Sequence, residues 1–395
     1  MSIGKEELEA VTRVINNGCL SGYQGNWSDA FYGGPEIKAL EKEWSEYFGV
    51  KHAIACNSAT SGLWMALSAI GLKGEHYPMI QIGQNAESGI TIYHNEDEVI
   101  VTPYSMTCSA SIPLHFGAKP VFADIEPDYF CLDPKSVESK ITKHTRAIIV
   151  VDLFGQPYDA DAINAIADKY SKIYGHKIYV IEDSAQAIGA TYKGKYAGTL
   201  GDIGVYSLNR NKHIQCGDGG VAVTNDDDLA MKLRLVMNHS EAVINDYNRK
   251  INEVSTEEYL KNFERDYNKI FAHNNIGLVG MNLRMTELSA AIAREQLKKL
   301  NGIIKFQQEI GQTFPVKVRE GCEHSFYRYA YIPDNSNKEV EFINEYCPME
   351  HAKRHYITPI YKMPLFKSLG YEDGLCPVCE QVDENIVLAW FKEVL

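Results

Sequence analysis

The sequence has no apolar run of the ~18 residues that a bilayer-spanning helix needs, so no transmembrane segment is expected. Its start, Met1-Ser2-Ile3-Gly4-Lys5-Glu6-Glu7, lacks an apolar stretch, which argues against a secretory leader and for a cytoplasmic protein. Basic residues are the minority: 39 Lys and Arg face 52 Asp and Glu, for a net charge of −13. A general nucleic-acid surface is thereby excluded, although a local Arg and Lys cluster can still hold an anionic substrate. The 12 histidines show no HxH or HExxH spacing, and no metal site is expected. Cysteines are few, odd in number at nine, and scattered, which reads as reduced thiols. The lone CxxC, Cys376 to Cys379, lacks the second ligand pair of a zinc site and reads as coincidence. Internal repeats and low-complexity tracts are absent as well.

What is present is an ordinary globular composition, 45% hydrophobic and 23% charged, in 395 residues. That length accommodates two domains with separate cores. From about residue 50 to 225, short β-branched runs alternate with amphipathic stretches. Strands are predicted at 99–101, 120–124, 147–153, 178–182, 204–207 and 220–224, with helices at 61–70 and 159–172 among them. This alternation predicts an α/β fold with a mostly parallel central sheet flanked by helices. Beyond residue 226 come a helix at 227–236, a polar stretch at 239–275 and a helix at 284–300. A Tyr- and Pro-rich part with short strands follows, and then a final helix at 382–395. The expected division is a large domain, 1–235, and a smaller C-terminal α+β domain, 236–395. The N-terminal segment of the first would pack on the second. Segments 24–34 and 73–97 look like insertions. The aromatic group Tyr23, Trp27, Phe31 and Tyr32 reads either as a platform for a sugar or base, or as loop packing.

Lys212 carries the chemical argument. It lies five residues after Ser207, at a strand end, and five before Gly217, in a glycine cluster. Upstream, Asp183 ends a buried strand. A lysine that can form a Schiff base, with a carboxylate for a pyridinium nitrogen, is what pyridoxal phosphate (PLP) requires of its protein. Gln186 is spaced to meet the ring hydroxyl. Asn57 to Gly62, which includes Ala59 and Thr60, immediately precedes a helix and offers N–H groups and hydroxyls to a phosphate. Ser207 adds a further hydroxyl. Each feature alone is ordinary, since Asn57–Gly62 would serve as an N-cap and Asp183 as a turn residue. Their order and spacing together carry the reading.

These residues resemble the DegT-type nucleotide-sugar (keto-sugar) aminotransferases of PLP fold type I, over nearly the whole chain. The resembling segments include Asn57–Leu63, Gly117–Asp124, Leu153–Pro157, Glu182–Ala190, Gly217–Gly220 and Gly280–Met285. The resemblance implies a homodimer with shared active sites, L-glutamate as amino donor and a nucleotide-linked keto-sugar as acceptor. A ping-pong cycle for amino-sugar and polysaccharide biosynthesis follows, with C4 favoured over C3 as the aminated carbon. It also implies that Asn282 reaches the cofactor phosphate across the interface and that Arg284 meets an acidic substrate group. Arg354-His355-Tyr356 resembles a motif near the site, which makes His355 and Tyr356 substrate-side candidates.

Departures from the family pattern matter. Met106 stands where the family has an aromatic over the PLP ring, and a thioether can also pack on a π-face. Relatives with histidine in place of the lysine are dehydratases, but His213 is one place out of register. Segments 24–34, 73–97 and 239–275 are longer than usual and border the acceptor pocket in relatives. A small phosphorylated ketone as acceptor, or keto-sugar dehydration, are the alternative activities.

Overall fold

Val, Ile and Ala fill the runs that become strands, and two of these are buried along their whole length and a third at all but one residue, as a sheet covered on both faces requires. The protein is described by a computed structural model over residues 3–25, 28–72, 97–240, 278, 280–346 and 350–391. In chain order the first strands are β1 (His52–Cys56), β2 (Glu98–Val101), β3 (Lys119–Phe122), β4 (Thr145–Val151) and β5 (Tyr179–Asp183). Next come β6 (Thr191–Tyr192), β7 (Lys195–Tyr196), β8 (Ile203–Ser207) and β9 (Gly220–Thr224). β6 and β7 form a small hairpin. The other seven pair in the order β1-β9-β8-β5-β4-β2-β3. β8, β5, β4, β2 and β3 pair in parallel, whereas β9 runs against both of its neighbours. Six strands therefore end on the same side, and four of them, β1, β2, β5 and β8, lead into loops that line the site.

Helices cover the sheet: α1 (Lys5–Asn17), α2 (Pro35–Phe48), α3 (Ala59–Ala69), α4 (Cys108–His115), α5 (Pro134–Lys140), α6 (Ala160–Tyr174) and α7 (Asp227–Met237). Their starts follow side-chain caps where oxygen meets an unpaired N–H, as with Ser58, Asp159 and Asp226. The next helix, α8 (Glu287–Gly311), begins after the Thr286 cap and runs well past the predicted end at 300. Trp44 of α2 packs edge-on to Tyr206 of β8, with ring centroids 5.3 Å apart. This core continues through the sheet to Tyr361, Phe366, Cys379 and Leu388 near the C-terminus. Cys376 and Cys379 are free thiols buried there as small apolar side chains.

A second sheet is built from the C-terminal part. After the short β10 (Cys322–Glu323), strands β11 (Tyr329–Tyr331), β12 (Glu350–Arg354) and β13 (Val387–Phe391) pair in the order β11-β13-β12. Helix α9 (Ser336–Tyr346) precedes β12, and α10 (Pro364–Ser368) and α11 (Pro377–Asn385) precede β13. The predicted final helix at 382–395 is therefore corrected. Helix α11 stops at Asn385, and the apolar run after it is the central strand of this sheet. Val382 and Ile386 mimic helical spacing, but Val387 to Ala389 are buried on both faces, which suits a central strand.

The 24–34 segment folds back on itself, with the Gln24 N–H on the Ala30 carbonyl at 2.9 Å. Tyr23 and Phe31 are buried, so these two aromatics pack inside the protein and offer no open platform. Trp27, residues 73–96 and residues 241–275 lie outside the described residues. Among the described residues no helix is long and apolar enough to cross a membrane.

Candidate active site

β8 and β9 are antiparallel neighbours, and their ladder continues into the loop that joins them. The Leu208 N–H bonds the Gly219 carbonyl at 2.8 Å, and the Arg210 N–H bonds that of Gly217 at 3.0 Å. These rungs explain the equal spacing on either side of Lys212: the lysine sits at the loop's tip. Its Nζ lies 4.7 Å from the centroid of the Tyr327 ring. The next side chain turns the other way. His213 is buried, with Nε2 3.0 Å from the Ser325 carbonyl oxygen, and burial pushes its pKa down to about 4. It is a neutral core histidine and does not line the cavity that Lys212 shares with Asp183.

That cavity, of about 750 Å³, lies beyond the carboxyl ends of the parallel strands, where open α/β sheets bind ligands. Asp183, at the end of β5, forms part of its floor and is 5% exposed. Burial holds its carboxyl above the usual carboxylate range, and the Ala185 N–H (3.1 Å) and the Lys212 charge pull it back down. Beside it Gln186 accepts the Phe154 N–H at 3.2 Å and donates through Nε2 to the Tyr356 hydroxyl at 3.1 Å. Tyr356 in turn stands edge-on to Phe154 and Tyr104, and burial raises its phenol to about 12.

The opposite end is formed by the start of α3. Ser58 caps it, its Oγ accepting the Ser61 N–H at 3.1 Å, while the Ala59 and Thr60 N–H groups are among the unpaired donors of a first turn. Gly220 lets β9 approach this turn, because a Cβ there would lie 2.5 Å from the Ser58 carbonyl carbon. Ser207, at the end of β8, lines the same end, its Oγ accepting the Asn209 N–H at 3.3 Å. Met106 lies on the cavity wall and is 54% exposed.

Of the residues singled out in the sequence, the cavity thus gathers Lys212, Asp183, Gln186 and Ser207, with Ala59, Thr60, Met106 and Tyr356. Asn282, Arg284 and His355 are not on its lining. Arg284 Nε donates to Asn282 Oδ1 at 2.9 Å, and Nη1 donates to Asn238 Oδ1 at 3.3 Å. Both lie on the outer side of the α3 loop, where the Leu283 carbonyl accepts the Asn57 N–H at 2.8 Å. His355 is a step removed, its Nδ1 2.7 Å from Asp383 Oδ2, and Asp383 also accepts the Tyr104 hydroxyl at 2.8 Å. Sequence reasoning missed Tyr327, Arg328, Lys353 and Trp390, which reach the cavity from the C-terminal sheet. Only the aromatic and basic run Phe326-Tyr327-Arg328-Tyr329 could have drawn notice.

A family model described as the DegT/DnrJ/EryC1/StrS aminotransferase family matches residues 2–391. The chain belongs to this family. It is a sugar aminotransferase that depends on PLP. The aminotransferase is 32% identical to the "Spore coat polysaccharide biosynthesis protein SpsC" of Bacillus subtilis, over 95% of this chain and 86% of that one. It is 33% identical to the "UDP-2-acetamido-2-deoxy-3-oxo-D-glucuronate aminotransferase" of Pseudomonas aeruginosa, over 90% and 85% of the two chains. Among solved structures it is similar to an aminotransferase from Psychrobacter cryohalolentis, with a TM-score of 0.76 and 26% identity, covering 98% of this chain and 91% of that one.

The donor set fits the cofactor. Asp183 presents a buried carboxylate whose hydrogen bond among the described residues comes from the Ala185 N–H, so a cationic ring N–H would complete it. At the other end, a helix N-terminus with free N–H groups and two nearby hydroxyls suits a phosphate. Lys212 provides the amine between them.

Proposed function

We propose that this aminotransferase takes the amino group of L-glutamate and passes it to a nucleotide-linked keto-sugar in a ping-pong cycle, for amino-sugar and glycan biosynthesis. The observation that carries the reading is the convergence of Lys212 and Asp183 in one cavity, with His213 turned away from it. Bound there, PLP supplies an aldehyde and a ring that accepts the electron pair left when a C–H bond breaks. Asp183 keeps the ring nitrogen protonated, which preserves that capacity. Lys212 Nζ is the acid–base group, taking the proton from the amine-bearing carbon of the donor and later delivering one to the acceptor carbon. Ala59, Thr60 and Ser207 would hold its phosphate, Gln186 would meet its ring hydroxyl, and Met106 would pack against the ring.

The name of the Pseudomonas aeruginosa relative specifies a nucleotide-linked acceptor, which supports that substrate class. We favour amination at C4, with C3 as the alternative that the same name brings forward. The reading includes a homodimer in which the Asn282 to Arg284 loop of each protomer serves the neighbouring site. In support, Met281 and Asn282 are exposed and Asn282 and Arg284 stand outside their own protomer's cavity.

Lys212→Ala tests the mechanism. With both glutamate and the keto-sugar acceptor supplied, the variant should release no more than a single equivalent of 2-oxoglutarate, while the wild type turns over repeatedly. Repeated turnover by the variant would overturn the assignment.

A further inference from the structure

Away from the phosphate end, the cavity wall changes character. Arg328 directly precedes β11, Lys353 lies in β12 and Trp390 in β13, so the second sheet delivers all three to one wall. The Arg328 guanidinium carbon is 4.3 Å from the Tyr327 ring centroid and 5.6 Å from that of Trp390. Aromatic faces steady a guanidinium and leave its in-plane N–H edge for an acceptor. One of those N–H groups goes to the Tyr327 carbonyl at 2.9 Å.

Other arginines of this protein hold carboxylates: Arg234 pairs with Glu41, Arg294 with Glu36 and Arg319 with Glu126. Among the described residues, neither Arg328 nor Lys353 has such a partner. The two carboxylates on the cavity lining are engaged elsewhere, Asp183 by the Ala185 N–H and Asp218 by Asn209 Nδ2 at 2.9 Å. On a chain of net charge −13, this wall is a local positive region in a repulsive background.

The wall is also close to the reacting amine. Lys212 Nζ and the Arg328 guanidinium flank the same ring, so they lie within about 9 Å of each other, the sum of the two centroid distances. Allowing roughly 4 Å for a guanidinium–oxyanion contact leaves up to about 5 Å for the substrate. That span suits the glutamate side chain, and it also suits the path across a sugar ring to its anomeric phosphate.

We propose that Arg328 and Lys353 form one oxyanion anchor used in both half-reactions. It holds a carboxylate of the amino donor first and the diphosphate of the nucleotide-linked acceptor second. The proposal rests on the glutamate-to-nucleotide-sugar reading above. A ping-pong site must bring two unlike molecules to a single Nζ, and both are anions. One cation pair at a set distance from Nζ meets both demands.

The test uses holoenzyme and the variants Arg328→Gln, Arg328→Lys and Lys353→Gln. Calorimetric titrations with 2-oxoglutarate and with the tightest of UDP, GDP and dTDP give dissociation constants at two ionic strengths. Arg328→Gln should raise both constants by about tenfold or more, with Arg328→Lys in between. Wild-type affinities should weaken with salt more steeply than those of Arg328→Gln. The exposed Lys353→Gln should weaken both ligands and carries the test should Arg328→Gln not fold. Unchanged constants, or weakening of one ligand alone, overturn the shared anchor. A wild-type enzyme that forms no 2-oxoglutarate from glutamate defeats the functional reading itself, which separates the two failures.

Discussion

Asp183→Asn keeps the side-chain shape and removes only the charge. The site gives this change a definite size. Asp183 is 5% exposed, and burial raises its pKa against the pull of one N–H and the Lys212 charge. The folded protein therefore holds this carboxylate at a free-energy cost, offset when a cationic N–H faces it. Removing one member of a buried pair costs about 3–5 kcal/mol. At about 1.4 kcal/mol per factor of ten, the rate of the amino-donor half-reaction should fall by roughly 10² to several times 10³. The unfolding midpoint should stay level or rise, because the amide oxygen still accepts the Ala185 N–H and no charge is buried. Single-turnover absorbance of the bound cofactor after mixing with glutamate measures the first quantity, and denaturant titration of the apoprotein the second. A half-reaction within threefold of wild type would refute the pairing of Asp183 with the ring nitrogen. A large loss of stability would show instead that the carboxylate serves the fold.

Two further outcomes are expected. In Gly220→Ala, the new Cβ would lie 2.5 Å from the Ser58 carbonyl carbon and 2.7 Å from the Ala59 nitrogen. The first turn of α3 must shift at a cost of about 1–3 kcal/mol, and cofactor should dissociate faster on dialysis. Cofactor retention equal to wild type would remove this turn from the phosphate site. Burial also depresses His213 to about 4 and His324 to about 3, both below the unfolded value near 6.5. The unfolded chain then binds protons that the folded chain refuses, so stability is full above pH 6.5 and declines as the pH falls toward 4. Denaturation midpoints between pH 6.5 and 5 should show the decline, and His213→Gln should remove about half of its slope. An unchanged slope in that variant would place the proton uptake elsewhere.

Much of the fold was legible because its signals are local. Each predicted strand from 99 to 224 falls on a strand of the sheet, since Val- and Ile-rich runs between helices report burial directly. β1, His-Ala-Ile-Ala-Cys, escaped notice because alanine carries little β signal, and its place depends on pairing with β9. The run after Asn385 was misread because apolar spacing alone does not separate a buried strand from a helix. Pairing with both β11 and β12 decides that case.

The site divides in the same way. Asp183 and Ser207 end strands, Lys212 sits in the loop that follows Ser207, and the Asn57–Gly62 turn opens a helix, and each of these places is marked by the local sequence around it. Their order along the chain was enough to name the cofactor chemistry, and its spacing separated Lys212 from His213. Tertiary structure alone decided that the two side chains point opposite ways, that Tyr356 meets Gln186 and that Arg328, Lys353 and Trp390 share a wall. Arg328 precedes one strand of the second sheet while Lys353 and Trp390 lie in two others, and no local periodicity links them. Chemistry that resides in one loop and its flanking strands was written in the sequence. The wall proposed to recognise the substrate is built from distant segments, which meet only once the chain has packed.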